Sequence, residues 1–240
     1  MTKVDILAIG IHPDDIELSA SGTLLRHAAQ GKTFGLLDLS QGELGTRGTA
    51  AIRAQESMDS ARILGAAFRE TLDIPDGLFT YMPEQWLKIV RVLRACRPDV
   101  VLCNAPDDRH PDHGRAAKME ADACFYAGLE KIQTFDNEGN AQEKWRPKAV
   151  YHYVQDRQLT PDFVVDITPW FPKKMEAILA FRSQFFSPDG DTPNTPISGQ
   201  DFLDFIEAKA RVFGRPILAQ FAEGFKVDRT PGVNDLFDLV

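Results

Sequence analysis

Short apolar runs alternate with amphipathic segments along the first half of the chain. VDILAIGI (4–11) is apolar at almost every position, which suits a strand buried on both faces. SGTLLRHAAQ then carries helical spacing and stops at Gly31. TFGLLDLS (33–40) reads as a second strand. The loop QGELGTRGT leads into a helix on which Ala51, Ala54, Met58, Ala61 and Leu64 recur at three- and four-residue intervals. ETLDI (70–74) predicts a third strand. PEQWLKIVRVLRACR puts Trp86, Ile89, Val90 and Leu93 on one helical face, with Pro98 just past its end. DVVLCNA (99–105) predicts a fourth strand, followed by a helix from Asp112 to Ala127.

The second half is less regular. AVYHYV (149–154) and FVVDI (163–167) read as strands, and PWFPKKMEAILAFRSQF as one helix. Between that helix and the next, QDFLDFIEAKARVFG, lies the loop SPDGDTPNTPISG (187–199), whose content fits a substrate lid and an idle surface loop equally. AQFAEGF is a last apolar stretch. The βαβα order of the first half predicts an α/β fold, a mostly parallel sheet with helices on both faces. No linker divides the chain, so residues 1–240 are expected to form a single domain, with a core over 1–130 and a C-terminal extension over 131–240.

Composition narrows the classes of function. The formal net charge of -8 speaks against a nucleic-acid or anionic-membrane binder, which needs a basic face. No apolar run is long enough to span a bilayer, and the opening residues read as a strand and not as a secretion signal. Cys96, Cys103 and Cys124 are widely spaced and fit buried, reduced thiols in a cytoplasmic protein.

Two of the apolar runs end alike. The first passes into His12, Pro13, Asp14 and Asp15; the fourth passes into NAPDDRHPDHG, with His110, Asp112 and His113. Ligands of open α/β sheets bind beyond the carboxyl ends of the strands, where strand order reverses. In the order 3-2-1-4 strands one and four are neighbours there, so the two HPD loops should meet. Three of the five histidines lie in these loops. His12, one of Asp14 or Asp15, and His113 make a His₂Asp set suited to Zn²⁺ with an open coordination position. The remaining acid could take a proton from water, whose pKa a zinc ion lowers from 15.7 to about 7. His110 could serve as acid or oxyanion partner. Arg47, Arg53 and Arg109 either pair with nearby acids or hold an anionic or polyhydroxyl substrate. Asp76, in IPDGL, either binds sugar hydroxyls or closes a turn. His27 is expected on the solvent side of its helix, and His152 packed within its strand.

HPDD after strand one, GELGTRGT after strand two and DDRHPDH after strand four resemble the LmbE-like (PIG-L) zinc-dependent N-acetylglucosaminyl deacetylases. FRSQF and FAEGF extend the resemblance over most of the chain. Within that family the chain is most similar to the bacillithiol-biosynthesis deacetylases, which act on N-acetylglucosaminyl-malate. The resemblance implies a Rossmann-like fold, zinc on His12, Asp15 and His113, Asp14 as general base, His110 at the oxyanion or leaving group, and Arg53 on the substrate. It also implies a homo-oligomer, often a hexamer. TFDNEGNAQEKW (134–145) reads as a variable insertion, where specificity is least transferable.

Overall fold

A computed structural model describes residues 1–185 and 193–238. Its sheet has seven strands in the order β3-β2-β1-β4-β5-β7-β6. These are β1 (Ile6–Gly10), β2 (Phe34–Asp38), β3 (Phe68–Thr71), β4 (Val100–Cys103), β5 (Ala149–Tyr153), β6 (Phe163–Asp166) and β7 (Ala222–Val227). The first five pair in parallel, and β7 runs antiparallel to both β5 and β6. The expected 3-2-1-4 reversal is present, and β1 is the strand beside the switch. The sheet runs unbroken from the first-half strands into those of the second half, making one mixed α/β domain.

β1 is buried at every position, and alternation of its side chains explains the two-layer core. Leu7 and Ile9 pack with Ile89, Val90 and Leu93 of α4 (Pro83–Cys96) and Met119 of α5 (Pro111–Ala127). Ile6 and Ala8 pack on the opposite face with Leu24 of α2 (Ser21–Ala29), Leu64 of α3 (Ala50–Leu64) and Ala177 of α6 (Phe171–Leu179). Short α1 (Asp15–Ser19) follows β1, and α7 (Gln200–Gly214) packs on β7.

Three elements depart from expectation: on α3 Ala51, Ala54 and Met58 are exposed while Arg53, Glu56, Ser57 and Ser60 join Ala61 and Leu64 on the buried face, and two others differ in their bounds. The third strand begins at Phe68 and ends at Thr71 instead of spanning 70–74. Phe68 pairs with Gly35, and a Cβ added there would meet the Phe68 ring at 2.3 Å; the glycine makes room for that ring and so sets the start of the strand. The helix expected through 185 ends at Leu179. Beyond it Phe181 and Phe185 turn into an apolar cluster with Leu203 and Ile206. Between them Gln184 accepts from the Arg47 side chain through its carbonyl and donates from its amide to Arg47 O. Residues 187–192 of the candidate lid over 187–199 lie outside the described residues. His27 is half-buried and bonds Thr23 O through Nδ1. His152 is buried in β5, on Asn104 O. The three cysteines are free and buried.

Candidate active site

The site is built on the carboxyl ends of β1 and β4, where the two HPD loops meet. Asn104 ties them together. Its side chain accepts from Ile11 N at 2.8 Å and donates to Asp15 Oδ2 at 2.9 Å, while its own N–H donates to Glu120 Oε2 at 2.8 Å. Asp15 Oδ2 also accepts from His12 N at 3.0 Å, and Oδ1 from Gln155 Nε2 at 3.0 Å. A fully buried carboxylate so held stays ionised: burial opposes it, but His113 and His12 hold Asp15 well below the ordinary carboxylate range.

Each of the two imidazoles has one nitrogen on an outer carboxylate and the other on the Asp15 side. His113 Nδ1 lies 2.7 Å from Asp108 Oδ2, and its Nε2 lies 3.2 Å from Asp15 Oδ1. His12 Nε2 lies 3.0 Å from Asp76 Oδ1 and 3.5 Å from Asp112 Oδ2, and its Nδ1 lies 3.8 Å from Asp15 Oδ2. Outer carboxylates of this kind accept a hydrogen bond from the outer ring N–H and leave the lone pair on the inner nitrogen, which is how metal-ligating histidines are set. Four ligands placed tetrahedrally at Zn–N and Zn–O distances stand about 3.3 Å apart, so separations of 3.2 and 3.8 Å fit a single cation. Donor atoms of His12, His110 and His113 also lie within 4.8 Å of one another, as do those of His12, Asp76 and Asp112. The second of these sets is the one that holds the His12 proton.

The electrostatics agree. Burial would push His12 down, yet Asp112 and Asp76 raise it to about 10. Burial likewise opposes His113, while Asp15 and Asp108 raise it to about 9. The carboxylates that keep protons on these rings would equally hold a dication. His110 caps α5, its Nδ1 accepting from Asp112 N at 3.3 Å, which in the neutral ring leaves Nε2–H as a donor. Burial and the two neighbouring imidazoles push its pKa down.

Asp14 occupies φ 117°, a backbone conformation that non-glycine residues rarely adopt. Arg53 anchors it there, donating to Asp14 Oδ2 at 3.0 Å and Pro13 O at 2.7 Å. Burial raises the Asp14 carboxyl to about 7 against the pull of Arg53. Beneath α1 a buried group of charges keeps the loop in place: Arg69 bridges Glu17 and Asp38, and Lys174 donates to Glu17 O, Leu18 O and Glu223. Above these residues opens a cleft of about 380 Å³.

The family model described as PIG-L, GlcNAc-PI de-N-acetylase, matches residues 7–125, the part of the chain that carries both HPD loops. Diacetylchitobiose deacetylase of Thermococcus kodakarensis is 30% identical over 190 residues, 75% of this chain and 70% of that protein. The chain belongs to the PIG-L family. A second relative, 4-oxalmesaconate hydratase of Pseudomonas putida, is 27% identical over 74% of this chain and 73% of its own. The structure of a conserved protein from Thermus thermophilus superposes with a TM-score of 0.85 at 35% identity, covering 98% of each chain.

Within this PIG-L chain His12, Asp14, Asp15, His110 and His113 all line the cleft, as do Arg53, Asp76 and Arg109. Arg47 is buried and donates to Gln184 O at 3.3 Å. Asp76 has one oxygen on His12 and the other on Leu44 N at 3.0 Å, so both are engaged within the chain. Arg109 is exposed and pairs with Asp156. Asp108, Asp112, Asn104, Gln155 and Glu120 join the site without a role that the sequence pattern predicts. Asn104 and Gln155 each stand as a polar residue at the end of an apolar strand run, the one mark of them in the sequence. Among the described residues no helix is long and apolar enough to cross a membrane.

Proposed function

We propose that the protein is a zinc-dependent hydrolase that removes acetate from an N-acetylglucosaminyl conjugate, with N-acetylglucosaminyl-L-malate as its substrate. The observation that carries the reading is the pair of imidazoles whose outer nitrogens rest on carboxylates and whose inner nitrogens converge on Asp15. His12, Asp15 and His113 would hold the metal, which supplies a Lewis acid for the amide carbonyl and lowers the pKa of water.

The remaining steps belong to the chain itself. Asp14, raised by burial to about 7, is suited to take the proton of the attacking water near neutral pH. Arg53 holds that carboxylate in its strained position. His110 donates Nε2–H toward the oxygen on which negative charge develops. The proton held by Asp14 then passes to the departing amine, and acetate and a free glucosamine result. The malate conjugate follows from the resemblance to bacillithiol-biosynthesis deacetylases; the relative named for diacetylchitobiose supports an acetylated glucosamine more generally. The same reading makes the enzyme a cytoplasmic homo-oligomer, and its buried free cysteines fit a reducing compartment.

The hydratase relative favours a second reading, addition of water to an unsaturated acid at the same centre. Amine release from N-acetylglucosaminyl-malate, by metal-stripped and then zinc-restored protein, separates the two. Zinc-dependent release above that from plain N-acetylglucosamine is expected. Absence of release from either by zinc-loaded protein would overturn the deacetylase reading.

A further inference from the structure

The cations that the sequence offers for an anionic substrate are engaged within the chain. Arg53 donates to Pro13 O, Gly42 O and Asp14, Arg109 pairs with Asp156, and Arg47 donates to Gln184 O. Two other polar groups of the cleft are differently placed. Ser19, at the end of α1, is only 4% exposed, and its Oγ has no hydrogen-bond partner among the described residues. Lys209, on the face of α7 that also presents Phe205 and Ile206 to the cleft, donates to Gln155 O and lies 5.4 Å from the centre of the Phe205 ring. It makes no ion pair among the described residues. An ammonium carries three donors, so Lys209 keeps donors that no acceptor among the described residues meets. Lys174 shows the contrast, with three acceptors around one ammonium.

Ser19 and Lys209 line the same two spaces: the main cleft, and a hollow of about 10 Å³ behind it. Leu18 and Ile206 line both as well. A buried hydroxyl without a partner is costly and calls for an occupant. Lys174 and Glu223 also line the hollow, already paired with each other, and Glu223 accepts from Gly22 N and Thr23 N; a hydroxyl donor beside a second ammonium suits an acceptor with negative charge. Burial and the nearby Lys174 push the Lys209 amine down to about 8, against the pull of Asp156, Asp108 and Glu223.

We propose that Ser19 and Lys209 form a carboxylate-binding subsite on the α7 side of the cleft, and that the substrate carries a carboxylate on the group attached to its acylated sugar. What reacts is taken from the deacetylase reading; the subsite determines what is held beyond the reacting amide. Lysine suits this role as a point charge that needs no fixed fork geometry.

The test is calorimetric titration of zinc-loaded Asp14→Asn protein with N-acetylglucosaminyl-L-malate and, separately, with methyl N-acetylglucosaminide. The malate conjugate should bind at least about tenfold tighter, as a charge-assisted contact implies. Lys209→Met in the same background should remove most of that advantage, and Ser19→Ala should reduce it about threefold. Equal affinity for the two ligands, or an advantage untouched by Lys209→Met, would overturn the subsite and leave a single ordered water as the occupant of the hollow. Should Lys209→Met fail to fold, Ser19→Ala decides alone, an unchanged advantage counting against the proposal. Tight malate-conjugate binding without acetate release by the unmutated enzyme would remove the deacetylase reading and leave the subsite standing.

Discussion

Replacing Asp108 with asparagine tests how far the outer carboxylates make the metal site. The Asp108 side chain is fully buried; its Oδ2 accepts from His113 Nδ1 at 2.7 Å and its Oδ1 from Arg157 N at 2.6 Å. With His110 N donating to Oδ2 at 3.4 Å as well, three donors face two acceptor oxygens. An asparagine keeps the shape but offers one acceptor oxygen, so its amide nitrogen must face at least one of these N–H groups. A hydrogen bond to a charged partner contributes about 1.5–3 kcal/mol, which converts to roughly 10- to 150-fold in affinity. Loss of such partners typically weakens metal binding about 10- to 100-fold. Asp108→Asn should therefore bind zinc about 10- to 100-fold more weakly, measured by competition with a chromophoric chelator at constant pH, with circular dichroism showing an intact fold. Asp107→Asn is the matched control, since Asp107 is exposed and, among the described residues, its side chain bonds only that of Arg157. A folded Asp108→Asn protein with zinc affinity within about twofold of the parent would refute the reasoning.

Other expectations follow from the same geometry. Asp14→Asn should keep its zinc and lose about 10²- to 10⁴-fold in kcat; near-normal turnover would show that another group takes the proton. Arg53→Met removes the one cation that lowers the Asp14 pKa through a direct ion pair, so the acid limb of the kcat/KM–pH profile should move to higher pH, and a shift the other way would contradict the pairing. Gly42→Ala should copy that shift, because the new Cβ would come within 2.1 Å of Arg53 Nη1 at a φ of +64°; an unshifted profile would show that Arg53 accommodates it. In metal-free protein His12 and His113 stand at about 10 and about 9 against an ordinary 6.5. The folded chain then binds more protons than the unfolded one across that interval, so their stabilisation is complete below pH 6.5 and lost as pH rises through 9 to 10. The Tm of chelator-treated protein should fall over this window and that of zinc-loaded protein much less; a flat or rising Tm in the former would contradict the assignment.

Much of this site was legible in the sequence because it obeys local and topological rules. The apolar run 4–11 announces a buried strand, and a strand beside a switch point puts whatever follows it at the ligand edge. Histidines 12, 110 and 113 could therefore be brought together from strand order alone. The partners of those histidines were not legible, because they are held by long-range contacts. Asp76 reads as a turn residue until the fold lays it against His12, and Gln155 reads as a loop residue until its side chain reaches Asp15. The arginines illustrate the same limit: a charge pattern shows a cation near the cleft but not that Arg53 is engaged by Asp14 and two carbonyls. Ser19 and Lys209 carry no motif, and only the shared cavity brings them together.

The claim on which the rest depends is that the two HPD loops form one zinc site. X-ray absorption at the zinc edge of the loaded protein, with metal content per chain measured on the same sample, tests it most directly. The account predicts one zinc per chain in a shell of nitrogen and oxygen at about 2.0–2.2 Å, with the multiple-scattering signature of two imidazoles, and loss of that zinc in His113→Ala. Sulfur at about 2.3 Å, or undiminished zinc in His113→Ala, would contradict it.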